Sequence, residues 1–168
     1  MNLIFRLFAI LFESLIRNKL HPLSESVVHL RVLPNDLDLN LHMNNGRYLA
    51  IMDLGRLDLL LRAGLLPLLV RHRWQPLAGA VNIRFKQSLK PFVKYRLHTK
   101  IVAWDEKWFY IEQRFERKNR LIANAHVKAL FRSPHGNVNP SEILGLLKMN
   151  IDPPKMPERV KKWIETEM

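Results

Sequence analysis

The stretch that most limits the folds open to this chain is Tyr48–Arg73. It is rich in leucine and carries apolar residues on nearly every face of a helix: Leu49, Ile51, Met52, Leu54, Leu57, Leu59, Leu60 and Leu61. A surface helix keeps one polar side, so a helix apolar all round belongs inside a protein. Something must therefore wrap it, and the segments that follow supply the wrapping. Leu77–Leu89, Val93–Trp104, Trp108–Arg117 and Leu121–Arg132 alternate and are rich in β-branched and aromatic residues. Polar turns at Lys90-Pro91, Asp105-Glu106-Lys107 and Lys118-Asn119-Arg120 separate them. Val27–Leu33 reads as one more strand ahead of the helix. A buried helix with one strand before it and four after it predicts an α+β chain with an antiparallel sheet. Gly64 and Pro67 predict that the long helix ends there and a shorter piece begins. Asp53, Arg56, Asp58 and Arg62 stand at spacings that allow pairs along the helix, and a structural ion pair is the expectation for Asp53 and Arg56.

Between the first strand and the helix lies DLDLNLHMNNGRY, Asp36 to Tyr48. On an extended backbone Asp36, Asp38, Asn40 and His42 fall on one side, with Leu37, Leu39 and Leu41 on the other. Polar groups gathered where strand gives way to helix suit an active-site loop, because the first N–H groups of a helix await an anion. A plainer reading also fits. Asn44 or Asn45 can cap the helix, and Asp36 can be a turn or cap carboxylate.

Taken whole, DLDLNLHMNNGRYL resembles the signature of hotdog-fold thioesterases. It is similar to the D-x-D-x-N-x-H-x-N-N-x-x-Y stretch of plant acyl carrier protein thioesterases. More loosely, it resembles the 4-hydroxybenzoyl-CoA thioesterase family, where an aspartate precedes a tyrosine by the spacing that Asp38 and Tyr48 keep. A group of membrane-associated thioesterase-superfamily proteins is more similar still. It shares D-x-D-x-x-x-H-M-N-N-x-R-Y-L and a later segment that reads AWDEKWFYIEQRF here, Ala103 to Phe115. The resemblance covers Val27 to Arg132. It implies a hotdog fold, an antiparallel sheet wrapped round one long central helix, with Asp38 in the position of the catalytic aspartate. Asn40 and His42 correspond to the motif's asparagine and histidine. An Asn can orient water or a carboxylate, and a His can relay a proton near neutral pH. Asn45 and Tyr48 are expected to line the pocket or fix the loop, and backbone amides around Asn44–Arg47 to receive the oxyanion. Two features depart from the plant pattern. There is no cysteine, and no glutamate stands near Gln87–Ser88.

Composition narrows the chemistry. The 168 residues suit one domain with a proper core. With no cysteine there is neither a disulfide framework nor a thiol nucleophile, and the 7 histidines are scattered without metal-ligand spacing, so no metal is expected. No GxSxG, P-loop or GxGxxG pattern occurs. The net charge of +12 is uneven: from Leu59 to Trp104 there is no acidic residue but nine lysines and arginines. Such a block favours a polyanionic partner. Nucleic acid ranks last, for want of aromatics ordered for stacking. An anionic membrane face and the phosphates of coenzyme A or of a phosphopantetheine carrier remain, with Arg84, Lys86, Lys90 and Lys94 as candidate phosphate contacts. A plain solvated basic surface fits the charge as well.

The ends complete the expectation. Met1–Leu20 reads as an apolar helix with a narrow polar stripe of Asn2, Arg6, Glu13 and Arg17. It is too short and too charged inside to span a bilayer, so it either lies on a membrane surface or packs on its own domain or a partner chain. Pro22 marks a linker over His21–Glu25. Asn139 with Pro140 predicts a helix start, a short helix runs to Lys148, and Glu158–Met168 reads as a charged, helical tail. The chain thus divides into an N-terminal helix (1–20), a hotdog domain (21–135) and a C-terminal helical tail (136–168). The expected activity is hydrolysis of an apolar acyl-CoA by a homodimer or homotetramer. No cofactor is expected beyond the coenzyme A of the substrate. The expected place is the cytoplasm, with peripheral contact at the inner membrane face through residues 1–20. The competing reading is a non-catalytic acyl-thioester or lipid-binding protein at a membrane surface.

Overall fold

A computed structural model describes residues 2–149 and 151–167. The central helix, α2, spans Asn45–Arg62 and buries Tyr48, Ile51, Met52, Leu54, Gly55 and Leu59 along its length. Strands β1 (Ser26–Arg31), β2 (Gln75–Phe85), β3 (Lys94–Trp104), β4 (Phe109–Arg117), β5 (Arg120–Ser133) and β6 (Gly136–Val138) form one antiparallel sheet. Its order is β1-β3-β4-β5-β2, with β6 on β5. The sheet curls round α2 in the expected hotdog arrangement. A short helix, α3 (Leu66–His72), follows α2, with Gly64 at a φ of 76° between them.

Helix and sheet approach closely at Gly55. A Cβ there would stand 2.6 Å from Thr99 Oγ1 and 2.7 Å from Leu97 Cδ2, so a side chain has no room. Gln113, fully buried on β4, fastens the same contact. Its amide donates to the Met52 carbonyl at 2.9 Å and to Thr99 Oγ1 at 3.0 Å, and accepts from Arg56 at 2.7 Å. The expected Asp53–Arg56 pair forms beside it.

The strand expected over Leu77–Leu89 begins at Gln75 and ends at Phe85. Residues 86–93 instead cross from β2, at one edge, to β3 near the other. Leu89 is fully buried along that crossing and Phe92 turns it at a φ of 60°. The sheet also continues past residue 135, since β6 pairs Val138 with Phe131. Asn139 caps α4 (Pro140–Leu146) through the Ser141 amide, and Ile143 and Leu144 enter the main core.

The N-terminal helix α1 (Asn2–Ile16) docks on α2 and β1. Ile10 packs with Val28 and Leu54, and Leu3, Leu7 and Leu30 surround them. Of the expected polar stripe, Arg6 and Arg17 turn inward, Glu13 is exposed, and the Asn2 side chain lies outside the described residues. Two buried carboxylates receive the inward groups. Arg6 holds both Asp36 oxygens, at 3.0 and 2.5 Å. Asp58 accepts from Ser14 at 2.7 Å and from Ser26, and lies 3.5 Å from both Arg17 and Arg62. The outward face of α1 is Ile4, Phe5, Phe8, Phe12, Leu15 and Ile16, all exposed. The C-terminal helix α5 (Glu158–Glu167) lies on the outer face of the sheet, where Val160 packs against Ala103 and Tyr110.

Candidate active site

The segment Asp36–His42 is not an extended comb. Pro34–Asp36 is a turn of 3-10 helix, which turns Asp36 inward to 1% exposure, against Arg6 and the Leu33 amide at 2.9 Å. Its role is structural, as its cap-like position predicts. Residues 38–42 then close on themselves. The Asp38 amide donates to the His42 carbonyl at 2.9 Å, and the Leu41 amide to the Asp38 carbonyl at 3.1 Å. The Asp38 carboxylate accepts from the amides of Asn40 at 2.9 Å and His42 at 3.3 Å. Asp side chains favour such local bonds over strand pairing. Leu41 takes a positive φ of 56°. The three leucines therefore do not share one side: Leu37 packs against the main core, while Leu39 and Leu41 are exposed.

The turn is rigidly seated. Leu37 bridges Met43, the Met43 amide donates to the Leu89 carbonyl at 2.9 Å, and the Asn44 amide to the Asp36 carbonyl at 2.8 Å. Asn44 then caps α2, its side chain accepting from the Gly46 amide at 2.8 Å. The Arg47 amide returns to the Asn44 carbonyl at 2.9 Å. This leaves the Asn45 amide as the donor of the first turn that the cap does not use.

The structure brings Asp38, Asn40 and His42 onto one turn beside the start of α2. Asp38 and His42 are half-buried, and Asn40 and Asn45 are exposed. Tyr48 is different. At 1% exposure it packs edge-on to Phe85 and Phe115, with ring centroids 5.0 and 4.8 Å away, and so fixes the loop from inside the core. Burial pushes its phenol up to about 12, with a Leu89 backbone hydrogen bond working the other way. Lys86 and Lys90 are exposed on the crossing that holds Met43. Arg84 is not with them. It lines a separate cleft on the outer face of the sheet.

A second feature escaped the sequence. An apolar cavity of about 330 Å³ is bounded by Leu57 and Leu60 of α2, Leu77 of β2, Ile111 of β4 and Leu144 of α4, with Asp53 and Arg56 among its few polar groups. Its walls come from segments scattered over the chain, and no local pattern announces it. Asp38, Asn40 and His42 are not among its walls. Leu54 to Leu60 lie some 9–15 residues along α2 from Asn45, roughly 14–22 Å at the helical rise. Within one chain, the polar turn and the apolar cavity are apart.

These features define a hotdog-fold protein with a carboxylate turn at the head of its central helix. A family model described as the thioesterase-like superfamily matches residues 32–164, and the chain belongs to that family. Protein THEM6 of Danio rerio is 39% identical over 154 residues, covering 91% of this chain and 74% of that one. Protein THEM6 of Xenopus laevis is 32% identical, covering 80% and 64%. Among solved structures, BH1999 gentisyl-coenzyme A thioesterase superposes with a TM-score of 0.65 at 21% identity, over 73% of this chain and 98% of that one. The YbaW probable thioesterase of Escherichia coli does so with a TM-score of 0.66 at 18% identity, over 73% and 97%.

Proposed function

We propose that this protein hydrolyses acyl-CoA thioesters, releasing the free acid and coenzyme A, and that each working site is shared between two copies of the chain. Membership of the thioesterase-like superfamily supports thioester hydrolysis in general. The observation that carries the finer reading is the pairing of an anchored Asp38 turn with an apolar cavity. Asp38 attacks the thioester carbonyl or activates the water that does, with His42 and Asn40 orienting that water. The Asn45 amide, at the positive end of α2, meets the developing oxyanion. The cavity takes the acyl chain. Its volume of about 330 Å³ and its apolar walls suit a single aliphatic tail.

The distance between turn and cavity is what calls for a second copy. β2 is a sheet edge of 11 residues with none fully buried, and Leu77, Val81 and Phe85 are exposed along it. Long, bare, apolar edges are unstable alone and pair with another strand. Antiparallel self-pairing about Ala80 sets Phe85 of one copy opposite Gln75 of the other. Phe85 touches Tyr48 beneath the Asp38 turn, while Leu77 and Ala78 edge the cavity. A two-fold dimer built this way brings each turn to the other copy's cavity. Lys86 and Lys90 then stand where the coenzyme A phosphates leave the pocket.

The exposed aromatic face of α1 supports peripheral contact with a membrane surface, and we place that contact on the cytoplasmic side. Among the described residues no helix is long and apolar enough to cross one. A helix lying flat with three phenylalanines outward suits the lipid interface.

Purified protein incubated with saturated acyl-CoAs of graded length should release free thiol, fastest with aliphatic chains and slowly with acetyl-CoA. No thiol release from any chain length would leave the competing reading, an acyl-thioester binding protein, in its place.

A further inference from the structure

The outer face of the sheet carries a second cleft, of about 410 Å³, between α5 and strands β2 and β5. Arg159, Lys162 and Thr166 of α5 stand three and seven residues apart, on one side of the helix. Buried Val160 and Trp163 seat the helix so that this side faces Asn82 and Arg84 of β2 and Asn124 and His126 of β5. Three full positive charges thus surround one cleft, and among the described residues no carboxylate lines it. Among the described residues, Arg84, Arg159 and Lys162 make no ion pair there. Glu112, beneath the cleft, is occupied by Arg114 at 3.0 Å and stands 3.8 Å from His126.

Like charges gathered round a recess repel one another unless an anion fills it. A plain solvated basic face needs no recess, no amide groups beside the cations and no helix laid across to complete it. We propose that this cleft is a binding site for a phosphate-bearing ligand, a phosphomonoester or diphosphate. Guanidinium groups from two elements give the forked donors that phosphate oxygens accept, Lys162 adds a point charge, and the Asn82 amide supplies a neutral donor. The Asn124 amide instead donates to Glu112 at 3.4 Å, and the Thr166 hydroxyl to the Trp163 carbonyl at 2.8 Å. A carboxylate, with a single charge, would leave two of the three cations unmatched. The state of His126 agrees with this geometry. Burial holds its imidazole below the ordinary range, Glu112 opposes that, and Arg159 and Arg84 depress it further, so both guanidinium groups act on the same ring. The volume exceeds that of one phosphate, leaving room for the group that carries it.

Calorimetric titration of the full chain with inorganic pyrophosphate tests the site without any reference to thioester cleavage. Saturable binding is expected, falling roughly tenfold in Arg159→Gln and again in Arg84→Gln, the loss of a charge-assisted contact each time. Lys19→Gln, which removes an exposed charge outside the cleft, should bind like the parent. Two further probes identify the source of the phosphate. Coenzyme A binding tighter than pyrophosphate, and loosening without its 3′-phosphate, marks a soluble nucleotide ligand. Vesicles containing a phosphatidylinositol phosphate, retained by the parent but not by Arg159→Gln, mark a lipid headgroup. Pyrophosphate binding that fails to saturate, or that weakens equally in Lys19→Gln and Arg159→Gln, overturns the proposal.

Discussion

Asp38→Asn is expected to lower kcat for acyl-CoA hydrolysis by roughly 10²–10⁴-fold, the range for loss of a positioned base. The substitution is chosen for what it keeps. The Asp38 carboxylate caps the turn through the Asn40 and His42 amides, and in the proposed mechanism it also offers its charge to the reaction. Asparagine retains an acceptor oxygen for those amides, so the turn survives while the charge goes. Asp38→Ala loses both and costs about 1 kcal/mol of local stability in addition, the usual worth of such a cap. Matched melting curves for the parent and Asp38→Asn, beside a collapsed turnover, separate chemistry from folding. Asp38→Asn with activity within tenfold of the parent would remove Asp38 from the reaction. His42→Gln should fall less far, because the proposed mechanism asks His42 only to orient the water that Asp38 activates, and its backbone holds the turn whichever side chain is present.

The second large effect is on stability. Asp58 is 1% exposed on α2 and joins three elements, accepting from Ser14 of α1 and Ser26 of β1 and neutralising Arg62, itself 8% exposed. Removing one partner of a buried ionic cluster leaves the other charge stranded, at a cost of about 3–5 kcal/mol. Asp58→Ala should lose that much in urea unfolding. Its melting temperature should fall by roughly 2–4 °C for each kcal/mol in a chain of this size. A loss under about 1 kcal/mol would mean that α1 and β1 hold to α2 without it. The same cluster changes what α1 is. It is not an appendage that can be cut away from an otherwise sound domain, because deleting it leaves Asp36 and Asp58 buried without Arg6, Ser14 and Arg17.

The elements that sequence made legible are those whose pattern is local. Helix α2 is apolar over most of its surface because the sheet, α1 and the C-terminal segment cover most of it, leaving Leu49 and Asp53 exposed. The strands alternate because one face meets that helix while the other meets water or α5. Asn44 and Asn139 cap helices, as their residue types and positions predict. The turn at Asp36–His42 misled for a physical reason. A period of two reads as a strand, but an aspartate that can bond its own chain two and four residues on prefers to close a loop. The partners of Asp36 and Asp58 were out of reach for another reason: Arg6 is 30 residues from Asp36, and Ser14 is 44 from Asp58. Helix α1 has apolar residues both inside and out, so only those distant carboxylates decide which side faces the domain. The cavity is assembled from side chains of helix, sheet and C-terminal segment, and no stretch of sequence contains it.

The shared site is tested most directly by mixing two inactive proteins. One copy carries Asp38→Asn, which spares its cavity. The other carries Ala129→Trp, which fills the cavity from β5 and spares its turn. Each alone should be nearly inactive. Unfolded and refolded together, they form mixed dimers in which one intact turn meets one intact cavity, and activity should return to roughly a quarter of the parent's by random pairing. A mixture as inactive as its components would show that turn and cavity must belong to the same chain, and would contradict the account.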